Sequence, residues 1–309
     1  MRLIKPSFSI WDQQEGLEGV YKQIERAGRV CYKSEDKITE NSAKEFVDRM
    51  IKSGHGAMLE HGTVYLKIPY GTMDDRGEFS NEPIVIKYID NPYSVVMNNS
   101  ENDYWYITSN YRVIIENEWI DDLQYLCEPT EFHAKRITVH FVCDRGVSHE
   151  FVRHRVMSFA QESTRYCNYS KDKFGNELTF ILPPWVDERQ LGEQNSQELL
   201  IQMGSLSNPT YTQEDLNELY FLFSLASSEV QYFNLINNGW KPQQARAVLP
   251  NSLKTELVVT GFASDWEHFF ELRDAGSAHP QARELAHPLH MEFLRRNYLV
   301  DLYDEANPD

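Results

Sequence analysis

The run from Arg136 to Cys143, R-I-T-V-H-F-V-C, alternates as a half-buried strand does, and the chain around it lacks the regular strand–helix alternation of a doubly wound sheet. Asp144-Arg-Gly146 then turns the chain into a short helix over about Val147 to Arg153. Further strand-like runs are Thr63 to Ile68, Ile84 to Ile89, Tyr104 to Thr108 and Leu178 to Leu182, while the polar stretch Ser158 to Tyr169 reads as loop. Helical spacing of Val20, Ile24 and Ala27 predicts a helix over Gly16 to Gly28. Ser42-Ala-Lys-Glu45 reads as a capping box before the apolar stripe Phe46, Val47, Met50 and Ile51, with Gly54 as the stop. A further helix is predicted over about Asn110 to Cys127. The C-terminal third reads as helical throughout. Thr212 caps a long helix ending at Gly239, Pro242 opens a short one, and Ser264-Asp-Trp-Glu267 forms a second capping box. Pro280 starts a last helix that Pro288 should kink. The expected fold is α+β, a mixed sheet with flanking helices. The expected organisation is one domain over 1–309, with an inserted region at about 69–131.

Charge narrows the partners. Forty-seven acidic against 30 basic side chains give a formal net charge of −17. Such a surface repels polynucleotides and anionic membranes, so neither is expected as a bulk partner. An anionic ligand has to find a local basic pocket, which makes clustered arginines informative here. The four cysteines, Cys31, Cys127, Cys143 and Cys167, form no C-x-x-C pair. Neither a disulfide framework nor a structural zinc site is expected, and a reducing cytoplasm fits. Met1 to Trp11 does not read as a signal peptide, and no apolar run approaches the ~20 residues of a membrane span.

Several motifs fail on spacing. Gly54-x-Gly56 lacks the third glycine of a dinucleotide fingerprint, and neither a phosphate-binding P-loop nor a G-x-S-x-G elbow occurs. His149-Glu150 and His154 resemble a zinc-protease motif, but the histidines are five apart, so they do not share one helical face. No metal ligand set is assigned. The segment Arg153 to Tyr166, R-H-R-V-M-S-F-A-Q-E-S-T-R-Y, is different. Three arginines and a histidine are interleaved with Val156, Met157 and Phe159, with Glu150 and Glu162 the nearby carboxylates. A solvated face of weak surface ion pairs is the bland reading. The apolar residues between the charges argue instead for a partly buried cluster. Such guanidinium groups repel one another and call for an anion, for which phosphate is the natural match.

The spacing R-H-R, seven residues, then Ser163, with Arg165 two further on, resembles the signature of flavin-dependent thymidylate synthases. Met58-Leu-Glu-His61-Gly-Thr63, Gln244-Ala-Arg246-Ala-Val-Leu-Pro250 and Phe269-Phe-Glu-Leu-Arg273 resemble other segments of that family in the same order, with His279 beyond them. The resemblance implies the family's own fold and an FAD-dependent conversion of dUMP to dTMP. Methylenetetrahydrofolate would give the carbon and NADPH the reducing equivalents. It implies flavin contacts at His61, Thr63, Arg153, His154, Arg155, Gln161, Phe262, Ala263, Ser264 and His268. It implies nucleotide contacts at Glu150, Arg153, Gln161, Glu162, Ser163, Thr164, Arg165, Arg246 and Arg273. Ser163 would offer its hydroxyl to the phosphate, helped by neighbouring amides, and Arg273 would be the catalytic residue that activates the base. It further implies a homotetramer with active sites shared between subunits. The sequence departs from the family pattern at Gln161, where Glu is common, and at Glu150, where Gln is frequent. His279 also lies further past Arg273 than in compact members. The competing readings are a non-enzymatic phosphate- or nucleotide-binding module, a metal-dependent hydrolase using His149, Glu150 and His154, and a flavoprotein of another activity.

Overall fold

Val139 and Phe141 on one predicted strand need an apolar partner, and the partner is a strand that the sequence hides among helices. The computed structural model describes residues 1–99, 103–203 and 212–299. In chain order its elements are β1 (Arg2–Ile4), β2 (Ser7–Trp11), α1 (Gly16–Tyr32), α2 (Ser42–Lys52), α3 (Gly56–Leu59), β3 (Thr63–Pro69), α4 (Glu82–Ile89), β4 (Val95–Asn99), β5 (Tyr104–Asn110) and α5 (Tyr111–Glu116). There follow β6 (Arg136–Asp144), α6 (Arg145–Phe151), β7 (Ser158–Gln161), β8 (Thr179–Ile181), β9 (Gly192–Glu193), α7 (Ser196–Met203), α8 (Gln213–Asn237), α9 (Pro242–Ala245), β10 (Lys254–Phe262), α10 (Ala263–Arg273) and α11 (Pro280–Arg295).

The fold is α+β. An antiparallel four-stranded sheet runs β2-β6-β10-β7, with Val259 opposite Val139 and Phe159. An antiparallel three-stranded sheet runs β3-β5-β4. Mixed pairing is confined to the short sheet β8-β1-β9, where β1 is parallel to β8 and antiparallel to β9. Helices α10 and α11 cover one face of the four-stranded sheet, packing Trp266, Phe269, Phe270, Leu289 and Phe293 against Val139, Phe141, Leu257 and Val259. A second core gathers Leu178, Phe180, Leu222, Phe223 and Tyr232, and a third gathers Val20, Ile24, Phe46, Leu66 and Ile107. Among the described residues no helix is long and apolar enough to cross a membrane.

Several local expectations change. The central strand β10 lies in a third of the chain expected to be all helix; its Leu-Val-Val-Thr run is fully buried, which suits β-branched side chains on a pleated surface. Ile84–Ile89 is helical rather than extended, because Pro83 sits in the first turn and Val85 and Tyr88, three apart, take the buried face. Ser158–Gln161 is the strand β7 rather than loop. The helix expected from Asn110 stops at Glu116, and a 3-10 turn follows over Ile120–Tyr125. Ser42 lies inside α2, and its hydroxyl bonds Glu25 Oε2 at 2.8 Å instead of capping. At α10 the box is shifted, since Asp265 rather than Glu267 accepts from the N-cap amide, that of Phe262, at 2.8 Å. Helix α11 runs unbroken through Pro288, which is exposed. Thr212 caps α8 as expected, accepting from the Asp215 amide at 3.1 Å.

Candidate active site

The signature starts where β6 ends. The Asp144 carboxylate caps α6 by accepting from the Val147 amide at 2.7 Å, and Gln281 of α11 donates to its other oxygen at 2.5 Å. The last residue of α6, Phe151, is fully buried with its ring 4.9 Å from that of Phe269. With the chain anchored there, His154 is buried, while Arg153 and Arg155 on either side of it are exposed.

The His154 ring lies against Phe269, with centroids 5.0 Å apart, and its Nε2 accepts from Arg273 Nε at 3.2 Å. Burial, then the charge of Arg273 and the neighbouring His268, push its pKa down to about 4. The imidazole is therefore neutral near pH 7, which is what an acceptor to a guanidinium requires. Arg273 completes its hold with Nη1 on Glu150 Oε2 at 2.7 Å and Nη2 on the Glu150 carbonyl at 2.8 Å. Glu150, His154 and Arg273, three expected residues from two helical segments, thus form one cluster. His268 stands at its edge, exposed and 3.2 Å from Glu271 Oε2. Among the described residues Arg153 donates only to the His149 carbonyl, at 3.3 Å.

A second group forms around His61, on the turn before β3. Its ring is fully buried, Nδ1 lies 2.8 Å from Thr260 Oγ1, and Nε2 has no hydrogen-bond partner among the described residues. Burial and then Arg136 push this pKa down to about 3, against a small opposing influence of the Phe159 carbonyl. Arg136 opens β6 and was not foreseen. It donates to the Glu60 carbonyl at 2.7 Å, to Thr63 Oγ1 at 3.3 Å and to Ser158 Oγ at 3.2 Å. Its guanidinium also lies 5.9 Å from the Phe262 ring centroid. Arg136, Arg155, Arg112, Glu60, Asp265 and Phe262 are among the residues lining a cavity of about 620 Å³. Thr63 and Arg136 also line a neighbouring cavity of about 550 Å³. Ala263 donates its amide to the Lys135 carbonyl at 2.9 Å, and Ser264 is exposed.

The remaining signature residues follow β7. Gln161 Nε2 donates to Ser148 Oγ at 2.8 Å and to Thr255 Oγ1 at 3.3 Å. Glu162 is buried, and its carboxylate accepts from Lys254 Nζ at 2.8 Å and from the Tyr169 hydroxyl at 3.1 Å. Lys254 also pairs with Glu256, which holds Lys33 Nζ at 2.8 Å and His140 Nε2 at 2.9 Å. Burial opposes the charge on Glu256, but His140, Lys254 and Lys33 hold its carboxyl well below the usual range. The Glu162 amide donates to the Glu256 carbonyl at 2.8 Å, and the Ser163 amide to the Cys31 carbonyl at 3.0 Å. Ser163 Oγ accepts from the Arg165 amide at 3.3 Å. Thr164 is buried, and the exposed Arg165 guanidinium lies 5.2 Å from the Tyr166 ring centroid. Arg246 is exposed in a 3-10 turn after α9, and His279 is exposed with its ring 6.0 Å from Trp185. The residues expected in one site therefore fall into three bonded groups, and among the described residues the Arg246 side chain makes no ion pair with any of them.

Arg136, Lys254 and Glu256 escaped sequence reading because they belong to strands, with no run of neighbouring charges to mark them. The K-T-E spacing of Lys254 and Glu256, two apart on one strand face, was a signal available for the last pair. Among the described residues no group of three or more His, Cys, Asp or Glu is placed to hold a metal.

An α+β fold carrying an arginine–histidine–carboxylate cluster at the end of a strand–helix unit defines the class. The chain belongs to the family described as thymidylate synthase complementing protein, whose model matches residues 86–296. That match begins inside the region 69–131 and includes the whole signature. A flavin-dependent thymidylate synthase of Mycobacterium avium is 34% identical over 152 residues, 49% of this chain and 53% of that protein. One of Corynebacterium aurimucosum is 25% identical over 279 residues, 89% of this chain and 76% of that protein. One of Pyrococcus furiosus is 27% identical over 157 residues, 50% of this chain and 52% of that protein. The chain thus spans about half the length of the Mycobacterium avium and Pyrococcus furiosus relatives. A solved UMP/dUMP methylase PolB from Streptomyces cacaoi, bound with 5-Br dUMP, covers 96% of this chain and 93% of its own at 16% identity. Its TM-score is 0.39.

Proposed function

We propose that this protein is an FAD-dependent thymidylate synthase that converts dUMP to dTMP, with methylenetetrahydrofolate as carbon donor and NADPH as reductant. The observation that carries the reading is the Arg273 guanidinium, aimed by Glu150 and by a neutral His154 at the end of the signature helix. The residues suit an anionic dinucleotide. Arg153 and Arg155 are exposed without a carboxylate partner among the described residues, and His61 Nε2 is a buried polar atom with no partner.

In this reading Arg153, His154, Arg155, His61, Thr63, Gln161, Phe262, Ala263, Ser264 and His268 hold FAD, with Arg136 supporting Thr63. FAD held there would supply the hydride-transfer chemistry that the reaction needs, with NADPH as the source of reducing equivalents. Glu150, Glu162, Ser163, Thr164, Arg165 and Arg246 hold dUMP. Glu162 does so from behind, since its carboxylate is committed to Lys254 and Tyr169. Arg273 stabilises negative charge on the pyrimidine ring, where an opposite charge shifts a pKa by about 1–3 units. Ser163 is not read as a nucleophile, because among the described residues its hydroxyl bonds the Arg165 amide and no histidine. The chain works as one unit over 1–309 with the region 69–131 inserted, in a cytoplasmic homotetramer whose sites are shared between subunits.

Purified protein should be yellow and should release tritium from 5-tritiated dUMP only when NADPH and methylenetetrahydrofolate are both present. Colourless protein with salt-sensitive polynucleotide affinity would point to a binding module instead. Yellow protein without tritium release would point to another flavoprotein activity.

A further inference from the structure

Arg273 makes three hydrogen bonds to fixed partners, with Nε on His154, Nη1 on the Glu150 carboxylate and Nη2 on the Glu150 carbonyl. A guanidinium carries five N–H groups, so two are left to face a ligand. The Arg273 and Glu150 side chains keep 17% and 33% exposure, which puts their ion pair at the mouth of the site rather than in the core. Water screens a pair so placed only in part, so each partner's charge is felt by a ligand docking beside it.

The surrounding charges do not duplicate Glu150. On α10, His268 and Glu271 pair with each other. Asp274, which follows Arg273, is taken up by Arg283, His287 and His290 of α11. At the start of α6, Asp144 faces the Val147 amide and Gln281. Among the described residues Arg153 bonds only a backbone carbonyl, and His149 is exposed. Among the described residues, Glu150 is therefore the carboxylate that offsets Arg273.

We infer that Glu150 is a positioning residue with a second role: it aims Arg273 and at the same time restrains its positive charge, limiting how strongly the site favours a deprotonated pyrimidine base over a neutral one. This rests on the proposed function for the identity of the ligand. The aim and the charge are separable. Glu150→Gln keeps an oxygen for Nη1 and removes the charge, whereas Glu150→Ala removes both.

The test uses full-length, FAD-loaded protein. Binding of dUMP, and of its 5-fluoro analogue with a more acidic ring N–H, is titrated between pH 6 and 9. In E150Q the apparent pKa of the binding profile should fall by about one unit, giving roughly tenfold tighter binding of the anionic base. E150A should show no such gain, because its Arg273 is no longer aimed. A folded E150Q whose profile overlays that of the unmodified protein overturns the inference, as does an E150A that gains as much as E150Q. A second readout needs no nucleotide: in the NMR titration of His154, E150Q should titrate at lower pH than the unmodified protein, because Arg273 is no longer offset. An unchanged His154 titration also overturns the inference. If the unmodified protein binds no dUMP, the proposed function fails, and the histidine titration still decides the role of Glu150.

Discussion

Two sets of charges in this protein follow opposite rules. Behind β7, Glu162, Lys254, Glu256, Lys33 and His140 form a closed network in which each carboxylate meets a cation and the Glu162 side chain is 1% exposed. At the surface Arg153, Arg155, Arg165 and Arg246 are exposed and make no ion pair among the described residues. The difference does not come from a shortage of acid, since the chain carries 47 acidic and 30 basic side chains. Burial forces pairing in the first set. In the second, water tolerates the lone guanidinium groups and leaves them available to an anion.

The comparison can be broken in order of expected effect. Lys254→Ala leaves the buried Glu162 carboxylate without its cation, while Glu256 keeps Lys33 and His140, and should cost about 3–5 kcal/mol in urea unfolding. A loss below about 1 kcal/mol would mean the closed network is not structural. Arg273→Ala should leave FAD bound while reducing turnover by roughly 10²–10³-fold, the scale for losing one preorganised donor. Near-normal turnover would remove its catalytic assignment. Acid should act through the buried histidines. His154 and His61 are lowered to about 4 and about 3, so between pH 6.5 and 4 the unfolded chain binds protons there that the folded chain does not. Stability should therefore fall as pH drops, by about 1.4 kcal/mol per pH unit for each histidine, and His154 should stop contributing below about pH 4. A flat Tm across that window would show both rings to be more hydrated than their burial implies. The smallest effect is expected at the open set: Arg155→Ala and Arg165→Ala should change stability by no more than about 0.5 kcal/mol while weakening FAD or dUMP binding. A large stability loss there would merge the two sets.

The sequence was most readable where chemistry is local. Arg153 to Arg165 stood out because consecutive residues carry the pattern, and the structure does join His154 to Arg273 across the α6–α10 contact. Caps and prolines located α8, α9 and α11 because a single side chain sets each helix start. The central strand β10 was lost for the opposite reason. Its Thr-Glu-Leu-Val-Val-Thr run is buried on both faces and has no alternation to betray it. Ile84–Ile89 misled in the other direction, since isoleucine and valine suggested a strand while Pro83 and the packing of Tyr88 made a helix. Arg136 could not be found from its neighbours, because its three acceptors come from Glu60, Thr63 and Ser158 on separate elements.

The bend at Glu162 and Ser163 has a consequence for how tightly a phosphate could be gripped. Both amides are already anchored, one to β10 and the other to the carbonyl at the end of α1. No ready-made cradle of main-chain donors is left at these two positions, so the gripping falls to hydroxyls and the exposed arginines Arg165 and Arg246. A hold of that kind loosens as ionic strength rises, and affinity for the monophosphate should weaken in salt more than affinity for the nucleoside.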